Sequence, residues 1–590
     1  RSFLGRWADE SPHRVDALST HARVALELLD FRHTDAVVRA YACRRLDELA
    51  DDQLSSVTLQ LVQCLKVELR HDSPLARLLV RRGACAPRTI GHRLFWLLRS
   101  ELGTPAVAER FGVVLATFLA ACGPSFREDL ATECYVDAVL SDISRRLKWE
   151  TLRTARHRLK RLLEQANEDL RTHVRMRQRR FLSSEVSEAA RTTQQQHHHN
   201  KRLRFSLGVS WHRRRRGQEE VHSGSVAAQL AGFTTCLDPG LRCAGVDVGK
   251  CRVLSSKKQP LLVVLRNADP GGDDFHLIYK HGDDLRQDQL TLQLLRVMDG
   301  LWRRRGLELQ MCPYRCVASG EGCGMIEVVR DACTTAAIQV KFGCGAKGAF
   351  KDNVVLAYLK SHNADARSFE RARAAFVASC SGYCVATYVL GVGDRHADNI
   401  MVTTAGRLVH IDFGHFLGNF KVKFGIRRER SPFVFTPDMR NVMTGAAPDE
   451  HPSRRRRLVP CGGGWDPSSD EDDDPDDGRY PVHDESSSER LGYADFENFC
   501  CDAFNAVRER AALFVVLFTL MLPAGMPELL DLDDVDYLID QLAVHLNPSE
   551  AADKFRTELK AAHRDIWRRV DNYFHNRRHA PSRQHAHPPP

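Results

Sequence analysis

Apolar residues recur with a helical period through the first part of the chain, from about residue 20 to 145. Leu54, Val57 and Leu61 are spaced by three and four residues and therefore share one face of a helix. Similar amphipathic stretches, joined by short turns that contain Asp, Pro or Gly, cover 34–49, 89–102 and 106–121. The pattern predicts an all-α domain of stacked helix pairs over 1–145, for which scaffolding is the simplest role.

A basic helix is predicted next, from 146 to about 182, and it leads into a stretch rich in His, Gln and Arg. The run "TTQQQHHHN" has no Cys or acidic partner at metal-ligand spacing, so a solvated insertion is the simpler interpretation. We therefore expect a linker helix and a low-complexity insertion over 146–229.

Short β-rich segments begin near residue 250, in "LLVVLRN", "FHLIYK" and "GMIEVVR", and helices return beyond about 355. This change predicts a small lobe over 230–330 and a larger helical lobe over 331–579. Opposite charge blocks with Gly and Ser predict a disordered acidic insertion at about 447–488, and 580–590 is predicted to be a disordered tail. The predicted fold class is α+β multidomain, a helical-repeat domain followed by a two-lobed domain.

Composition limits the function classes further. The 590 residues include 18 cysteines that form no CxxC pair, which predicts a reduced, cytosolic interior rather than a disulfide framework. The longest apolar run, "AALFVVLFTLMLPAGM", is broken by Pro523 before the roughly 20 residues that a membrane-spanning helix needs, so we expect a buried helix. The net charge of +9 suits anionic phosphates or a membrane surface, although local Arg runs contribute part of it. Separately from the charge, we expect no nucleic-acid partner.

Candidate chemistry concentrates in "GVGDRHADNIMV" and the nearby "HIDFGHFLGNF". Asp394 precedes Asn399 by the gap that separates the catalytic Asp from a metal-binding Asn in protein kinases, and Asp412 opens a D-F-G triplet. Phosphoryl transfer needs such groups, so Asn399 and Asp412 are predicted metal ligands and Asp394 and His396 predicted catalytic residues. The order Asp-Arg-His inverts that of protein kinases and points away from them, while a plain surface turn is the alternative.

Nucleotide-binding candidates lie in the small lobe. Ile278 and Lys280 share one face of a predicted strand, so that Lys280 can reach a phosphate. Asp288, on the Leu-rich helix that follows, is placed to orient this lysine or the metal-bound phosphates. Ser256 and Lys257 lie in a turn that can cover phosphates with backbone N–H groups and one ammonium.

An adenine hinge is predicted in "GMIEVVR", where the backbone of Glu327 and Val329 can hydrogen-bond the base, although an ordinary core strand has the same pattern. The glycine-rich "GEGCGM" lies after Lys280, in the wrong order for a nucleotide loop, and is expected to form a turn.

The loop beyond D-F-G carries a run of cations: Lys421, Lys423, Arg427, Arg428 and Arg430. Several cations suit a highly phosphorylated acceptor, because each one can form charge-assisted hydrogen bonds to phosphate oxygens. A solvated charge run fits the composition equally well.

Taken together, these motifs resemble the phosphoinositide 3-kinase family. "KHGDDLRQDQLTLQLLRVM", "GMIEVVRDA", "SGYCVATYVLGVGDRHADNIMV" and "HIDFGHFLGNFKVKFGIRRERSPFVFTPDM" look like a class I catalytic domain. "RTIGHRLFWLLRSEL", "GAFKDNVVLAYLK" and "MLPAGMPEL" look most like the gamma type, class IB. The resemblance covers about 20–145, as the PIK helical domain, and about 230–575, as the kinase domain.

The resemblance implies ATP-dependent, magnesium-dependent phosphorylation of the inositol 3-hydroxyl of phosphatidylinositol 4,5-bisphosphate. It implies that His415 lies near the transferred phosphate and that Lys421, Lys423, Arg427 and Arg428 select the headgroup, and it leaves the proton acceptor open. The implied nucleotide contacts are Ser256, Lys257, Ile278, Lys280, Asp288, Tyr314, Glu327, Val329, Met401 and Ile411.

The same resemblance implies a regulatory adaptor and G-protein βγ subunits as partners, and recruitment from the cytoplasm to the cytosolic face of the plasma membrane. No adaptor-binding, Ras-binding or C2 segment precedes the helical stretch, so we expect a fragment to which Ras binding is not assigned. Leu262 and Tyr573 stand where the family has a Trp beside the ATP pocket and a membrane-contacting Trp. The alternatives are a related Ser/Thr protein kinase, which the basic loop disfavours, and an inactive scaffold, which the intact Lys280, Asp394 and Asp412 disfavour.

Overall fold

A computed structural model describes residues 20–195, 232–256, 258–420, 422–423, 426–427, 431–444 and 491–583. Its first part confirms the predicted all-α domain. The helices α1 to α8 span Thr20–Glu27, Ala36–Asp47, Asp51–Cys64, Pro74–Cys85, His92–Ser100, Pro105–Ala121, Pro124–Leu147 and Leu152–Gln195.

The linker helix differs from its predicted bounds at both ends. Helix α7 continues to Leu147, and α8 begins only at Leu152 because Thr151 starts a new helix. The Thr151 carbonyl accepts the N–H of Ala155 at 2.8 Å, and its hydroxyl accepts the N–H of Thr154 at 3.4 Å. Helix α8 then runs to Gln195, past the predicted end near 182.

An antiparallel sheet forms the small lobe, in the order β1-β2-β4-β5-β7-β6 with β3 paired to β4. Strand β5 has the predicted alternation, since Leu277 and Tyr279 are buried while Ile278 and Lys280 lie on the other, partly exposed face. The glycine-rich segment turns β6 into β7, as expected. The strands β1 to β7 span Phe233–Thr235, Asp238–Val246, Arg252–Val253, Leu261–Asn267, Phe275–His281, Cys316–Gly320 and Cys323–Glu327.

The large lobe surrounds one buried helix, Ala366–Val389, which is α12. Strands β8, β9 and β10 form a small antiparallel sheet, and β11 pairs with β12 in a hairpin. Helix α9, Arg286–Arg304, belongs to the small lobe. The helices α10 to α18 of the large lobe span Thr335–Phe342, Val354–His362, Ala366–Val389, Pro437–Thr444, Tyr493–Arg508, Ala511–Thr519, Asp533–Leu542, Pro548–Arg564 and Ile566–Arg583. The strands β8 to β12 span Ala332–Thr334, Ile400–Thr403, Leu408–His410, Val422–Lys423 and Ile426–Arg427.

The described residues can be compared with the predictions for the long apolar run, the cysteines and the C-terminal tail. The long apolar run forms the buried helix α15, as expected, and no described helix combines the length and apolar character needed to cross a bilayer. The 17 cysteines of the described part are free thiols. Helix α18 extends to Arg583, into the tail predicted as disordered, and the acidic insertion at 447–488 lies outside the described residues.

The helical domain and the small lobe share buried polar contacts. Glu133 on α7 accepts hydrogen bonds from Trp96 Nε1 at 2.9 Å and from the hydroxyl of Thr234 on β1 at 2.5 Å. Gln60 on α3 and Gln293 on α9 form a reciprocal amide pair, with N···O distances of 3.0 and 2.7 Å. Through this pair α3 buries Gln60, a polar position outside the predicted apolar stripe.

Candidate active site

The catalytic-loop candidates lie between α12 and β9 in a loop fixed by its own polar groups. The Asn399 side chain donates from Nδ2 to the carbonyl of Asp394 at 2.9 Å, and the His396 N–H donates to the same carbonyl at 3.0 Å. Asp394 has a φ of 56°, a left-handed conformation that costs free energy for a residue with a Cβ. Because Nδ2 of Asn399 is used inside the loop, its amide oxygen is the atom left to bind a cation.

The D-F-G triplet is positioned by two residues of the small lobe. The Asp412 N–H donates to the hydroxyl of Tyr314 at 3.3 Å, and the Phe413 N–H donates to Asp288 Oδ1 at 2.9 Å. The rings of Tyr314 and Phe413 stack with their centroids 6.4 Å apart. Asp412 also has a left-handed φ, of 60°. The structure therefore places Asp288 and Tyr314 against the metal-ligand candidate itself.

Lys280 faces three carboxylates. Its Nζ lies 3.7 Å from Asp283 Oδ2. Burial lowers the pKa of Lys280, but Asp412, Asp288 and Asp283 outweigh burial, and the net pKa is raised. Burial also raises the pKa of Asp288 to about 6, against the opposing effect of Lys280. The close ion pair of Lys280 is thus with Asp283, a residue that the sequence analysis did not single out, rather than with Asp288.

Arg395 is a second residue whose role the sequence did not reveal. It is fully buried, and its guanidinium donates to the carbonyls of Gly393 and Ile411, both at 2.8 Å, and to that of Asp412. The guanidinium also lies over the Phe413 ring, 5.4 Å from its centroid. Arg395 therefore ties the catalytic loop directly to the D-F-G triplet.

His415 is oriented by a carboxylate that lies 113 residues away in the sequence. Its Nδ1 lies 2.6 Å from Glu528 Oε1. The other oxygen of Glu528 accepts the N–H of Phe416 at 2.8 Å and Nε2 of Gln287 at 3.0 Å. Glu528 belongs to "MLPAGMPEL", a segment that supported the family resemblance, but nothing in its spacing pointed to this contact.

His396 packs against the C-terminal helix α18. Its ring stacks on His575 with centroids 4.4 Å apart, and His575 Nε2 lies 2.6 Å from Asp398 Oδ2. Nε2 of His396 lies 3.9 Å from Asp394 Oδ2. Burial lowers the pKa of His396 to about 4, so its imidazole is neutral at physiological pH.

The hinge candidates Glu327 and Val329 lie at the C-terminal end of strand β7 and just beyond it. The Glu327 N–H donates to the Arg315 carbonyl at 2.8 Å, and its carboxylate accepts the Arg315 N–H at 2.9 Å. The next N–H, of Val328, donates to the backbone carbonyl of His276 at 3.0 Å. These contacts fix the strand end next to Val329. Partly buried apolar side chains from both lobes pack beside the core: Ile278, Val329, Met401 and Ile411.

Some predicted contacts are only partly described. Ser256 is exposed in a turn, and its carbonyl accepts the Gln259 N–H at 3.0 Å. Lys258, which was not predicted, contacts Asp283 and the carbonyl of Gly282. The side chains of several predicted cations lie outside the described residues: Lys257, Lys421, Lys423, Arg427 and Arg428.

Comparisons with known proteins support the phosphoinositide 3-kinase domains that the motifs indicate, without distinguishing the class or type. Residues 17–131 match the accessory (PIK) domain of the phosphoinositide 3-kinase family, and residues 274–458 match the phosphatidylinositol 3- and 4-kinase model. Phosphatidylinositol 3-kinase 1 of Dictyostelium discoideum is 35% identical over 98% of this chain, and phosphatidylinositol 3-kinase 2 is 33% identical over 94%. The chain spans only 30% and 24% of the lengths of these two relatives.

Proposed function

The chain carries the PIK accessory domain of phosphoinositide 3-kinases followed by a phosphatidylinositol 3- and 4-kinase catalytic domain, and from this premise we propose a lipid kinase. It transfers a phosphoryl group from ATP to the 3-hydroxyl of phosphatidylinositol 4,5-bisphosphate. The observation that carries the proposal is the convergence of Lys280, Asp288 and Asp412 beside the loop of Asp394 and Asn399.

ATP is proposed to lie between the lobes. Its adenine meets the strand end at Glu327 and Val329, and its phosphates meet Lys280, whose ammonium is kept charged by the surrounding carboxylates. The Ser256 turn covers the phosphates from above.

The residues present fit a magnesium ion. Magnesium prefers hard oxygen ligands, and the Asp412 carboxylate and the Asn399 amide oxygen are of that kind. The Asn399 Nδ2 bond to Asp394 fixes which end of the amide is available. When bound, magnesium neutralises charge on the phosphates.

The hydroxyl proton is proposed to go to the pair formed by Asp394 and His396. The neutral imidazole of His396 lies 3.9 Å from the Asp394 carboxylate. Either group can take the proton: Asp394 would become neutral, whereas His396 would become a cation that the Asp394 carboxylate stabilises. His415, oriented by Glu528, is proposed to contact the transferred phosphate.

The proposed lipid substrate and the proposed partners are inferred from the sequence. The four cations Lys421, Lys423, Arg427 and Arg428 are proposed to bind the 4- and 5-phosphates of the lipid headgroup. The gamma-type resemblance supports a regulatory adaptor and G-protein βγ subunits as partners, with recruitment to the cytosolic face of the plasma membrane. Ras is not assigned to any segment of this chain.

The test is transfer of labelled phosphate from Mg-ATP to vesicles that contain phosphatidylinositol, its 4-phosphate or its 4,5-bisphosphate. We expect label on the 3-hydroxyl, lost in Asp412→Ala and kept in the surface control Asp365→Asn. Replacing the four loop cations by Ala should abolish use of the bisphosphate more than use of unphosphorylated lipid. Label on protein instead of lipid would indicate the protein-kinase alternative, and no label with a folded parent would refute an autonomous kinase.

A further inference from the structure

One carboxylate of the small lobe pairs with two lysines that come from different turns. Asp283, between β5 and α9, contacts the ammonium of Lys258 through Oδ1 and lies 3.7 Å from Nζ of Lys280 through Oδ2. Lys258 belongs to the turn between β3 and β4, which also carries Ser256. Lys280 and the Ser256 turn are the parts of the small lobe that are proposed to meet the phosphates of ATP. Asp283 therefore joins the two sides of the proposed phosphate-binding region.

The position of Asp283 is fixed by the backbone as well as by its ion pairs. The N–H groups of Gly282 and Asp283 both donate to the carbonyl of Gly322, in the turn between β6 and β7, at 2.6 and 3.1 Å. Gly282 has a φ of 87°, in the left-handed region that favours glycine. Its carbonyl accepts the Lys258 ammonium at 2.6 Å. Contacts among three turns of the small lobe thus hold the carboxylate beside the two lysines.

The two lysines differ in their surroundings. The Lys280 side chain is 17% exposed, and its ammonium also interacts with Asp412 and Asp288. The Lys258 side chain is 49% exposed, and its ammonium is held by Asp283 and by the Gly282 carbonyl. Because the Asp283 side chain itself is only 26% exposed, water and salt screen its charge less than that of a fully exposed group. The charge of this one residue therefore acts on both cations at once.

We infer that Asp283 is a specificity-determining residue that favours the magnesium complex of ATP over free ATP, an inference that rests on the proposed function. A phosphate group that binds Lys258 or Lys280 shares that cation with the carboxylate, and the two anions repel each other. Free ATP carries about four negative charges and its magnesium complex about two, so the repulsion acts more strongly on the free nucleotide.

The preference has a chemical consequence for the proposed reaction. Phosphoryl transfer needs the metal that Asn399 and Asp412 are proposed to bind, so free ATP in the cleft would be unproductive. Lysines without a nearby carboxylate would bind free ATP most tightly, because it has the larger charge. Asp283 lowers that affinity through the two lysines, which makes it a positioning residue rather than a catalytic one.

The test is calorimetric titration of the full chain with the β,γ-imido analogue of ATP at constant ionic strength, once with excess magnesium and once with a chelator. Asp283→Asn should tighten binding of the free nucleotide by about tenfold and binding of the magnesium complex by about threefold, because one repelling charge is removed. The Tm of this variant without nucleotide should match that of the parent, since a partly exposed ion pair contributes little stability.

Two variants control for net charge and for side-chain geometry. Asp284→Asn removes the same charge one residue further along, where the carboxylate pairs with Arg286 at 2.7 Å. It should change either affinity by less than about twofold, because Arg286 neutralises that carboxylate and solvent screens it. Asp283→Glu keeps the charge and should bind the free nucleotide no more tightly than the parent does.

The possible results separate this inference from the proposed function. Weaker nucleotide binding by Asp283→Asn, or a clearly lower Tm, would show that the carboxylate merely supports the lysines and would overturn the inference. An equal gain in Asp284→Asn or in Asp283→Glu would also overturn it. A parent that binds the nucleotide in neither form would instead refute the proposed ATP cleft, and the inference with it. Binding is measured without turnover, so the choice of lipid substrate does not enter the result.

Discussion

Asp438 should make the stability of this protein fall as the pH rises from acidic to neutral. The residue is buried at the start of α13, and its Oδ1 accepts the Val355 N–H at 3.1 Å at the start of α11. Burial raises its carboxyl pKa to about 7, with the nearby Asp352 adding to the effect and Arg569 opposing it.

The sign follows from proton linkage. Between the unfolded value of 3.8 and the folded value of about 7, the folded protein holds a proton that the unfolded chain has released. Stability contributed by this protonated group is therefore present at low pH and is lost as the pH rises through that window. The slope is about 1.4 kcal/mol per pH unit in the middle of this window and decreases as the pH approaches 7, which gives about 2 kcal/mol between pH 5 and pH 7.

Asp438→Asn should remove this dependence, because the amide keeps an oxygen acceptor for Val355 and does not ionise. The measurement is the free energy of unfolding by denaturant at pH 5, 6, 7 and 8, as the difference between variant and parent. We expect the variant to gain about 3 kcal/mol on the parent across this range. Asp365→Asn is the control, because Asp365 is exposed and hydrogen bonding to Ser368 lowers its pKa. The difference in unfolding free energy between this variant and the parent should therefore not change between pH 5 and pH 8. A flat difference for Asp438→Asn would refute the reasoning.

Three further predictions concern the active site. Arg395→Lys cannot keep the contacts to Gly393, Ile411 and Asp412 at once, so kcat for phosphate transfer should fall by about tenfold or more; an unchanged kcat would show that the tether is dispensable. Gly391→Ala should lower the free energy of unfolding by at least about 2 kcal/mol in denaturant titrations, because φ is 57° and an added Cβ would lie 2.4 Å from a backbone nitrogen; equal midpoints would contradict this. Glu528→Gln should lower kcat several-fold with little change in the KM for ATP, and a change confined to KM would assign Glu528 to nucleotide binding instead.

The regular elements were readable from the sequence because their signals are local. The spacing of Leu54, Val57 and Leu61 predicted a buried helix face, and the alternation around Lys280 predicted which strand face carries the lysine. Both patterns follow directly from backbone geometry. The gap between Asp394 and Asn399 was likewise readable, since a single loop contains both residues.

The remaining features depend on contacts between distant parts of the chain. Glu528 and His415 are 113 residues apart, and His575 and Asp398 are 177 apart, so no local pattern could pair them. Arg395 was visible only as the middle of a motif, and its burial beneath the D-F-G triplet is a property of the packed loop. Gln60 of α3 is buried through its amide pair with Gln293, which is 233 residues away, so its burial could not be derived from local spacing.

The carboxylate of Glu133 has a consequence for how this protein can be divided. It accepts hydrogen bonds from α5 and from β1, and these elements belong to segments that lie on opposite sides of a conventional domain boundary. A kinase lobe produced without α7 would lose the contact of the buried Thr234 hydroxyl, and a helical unit produced alone would expose the Glu133 carboxylate to solvent. The buried Glu133 carboxylate therefore couples the two segments, and we expect a kinase lobe produced without α7 to be less stable than the same lobe in the full chain.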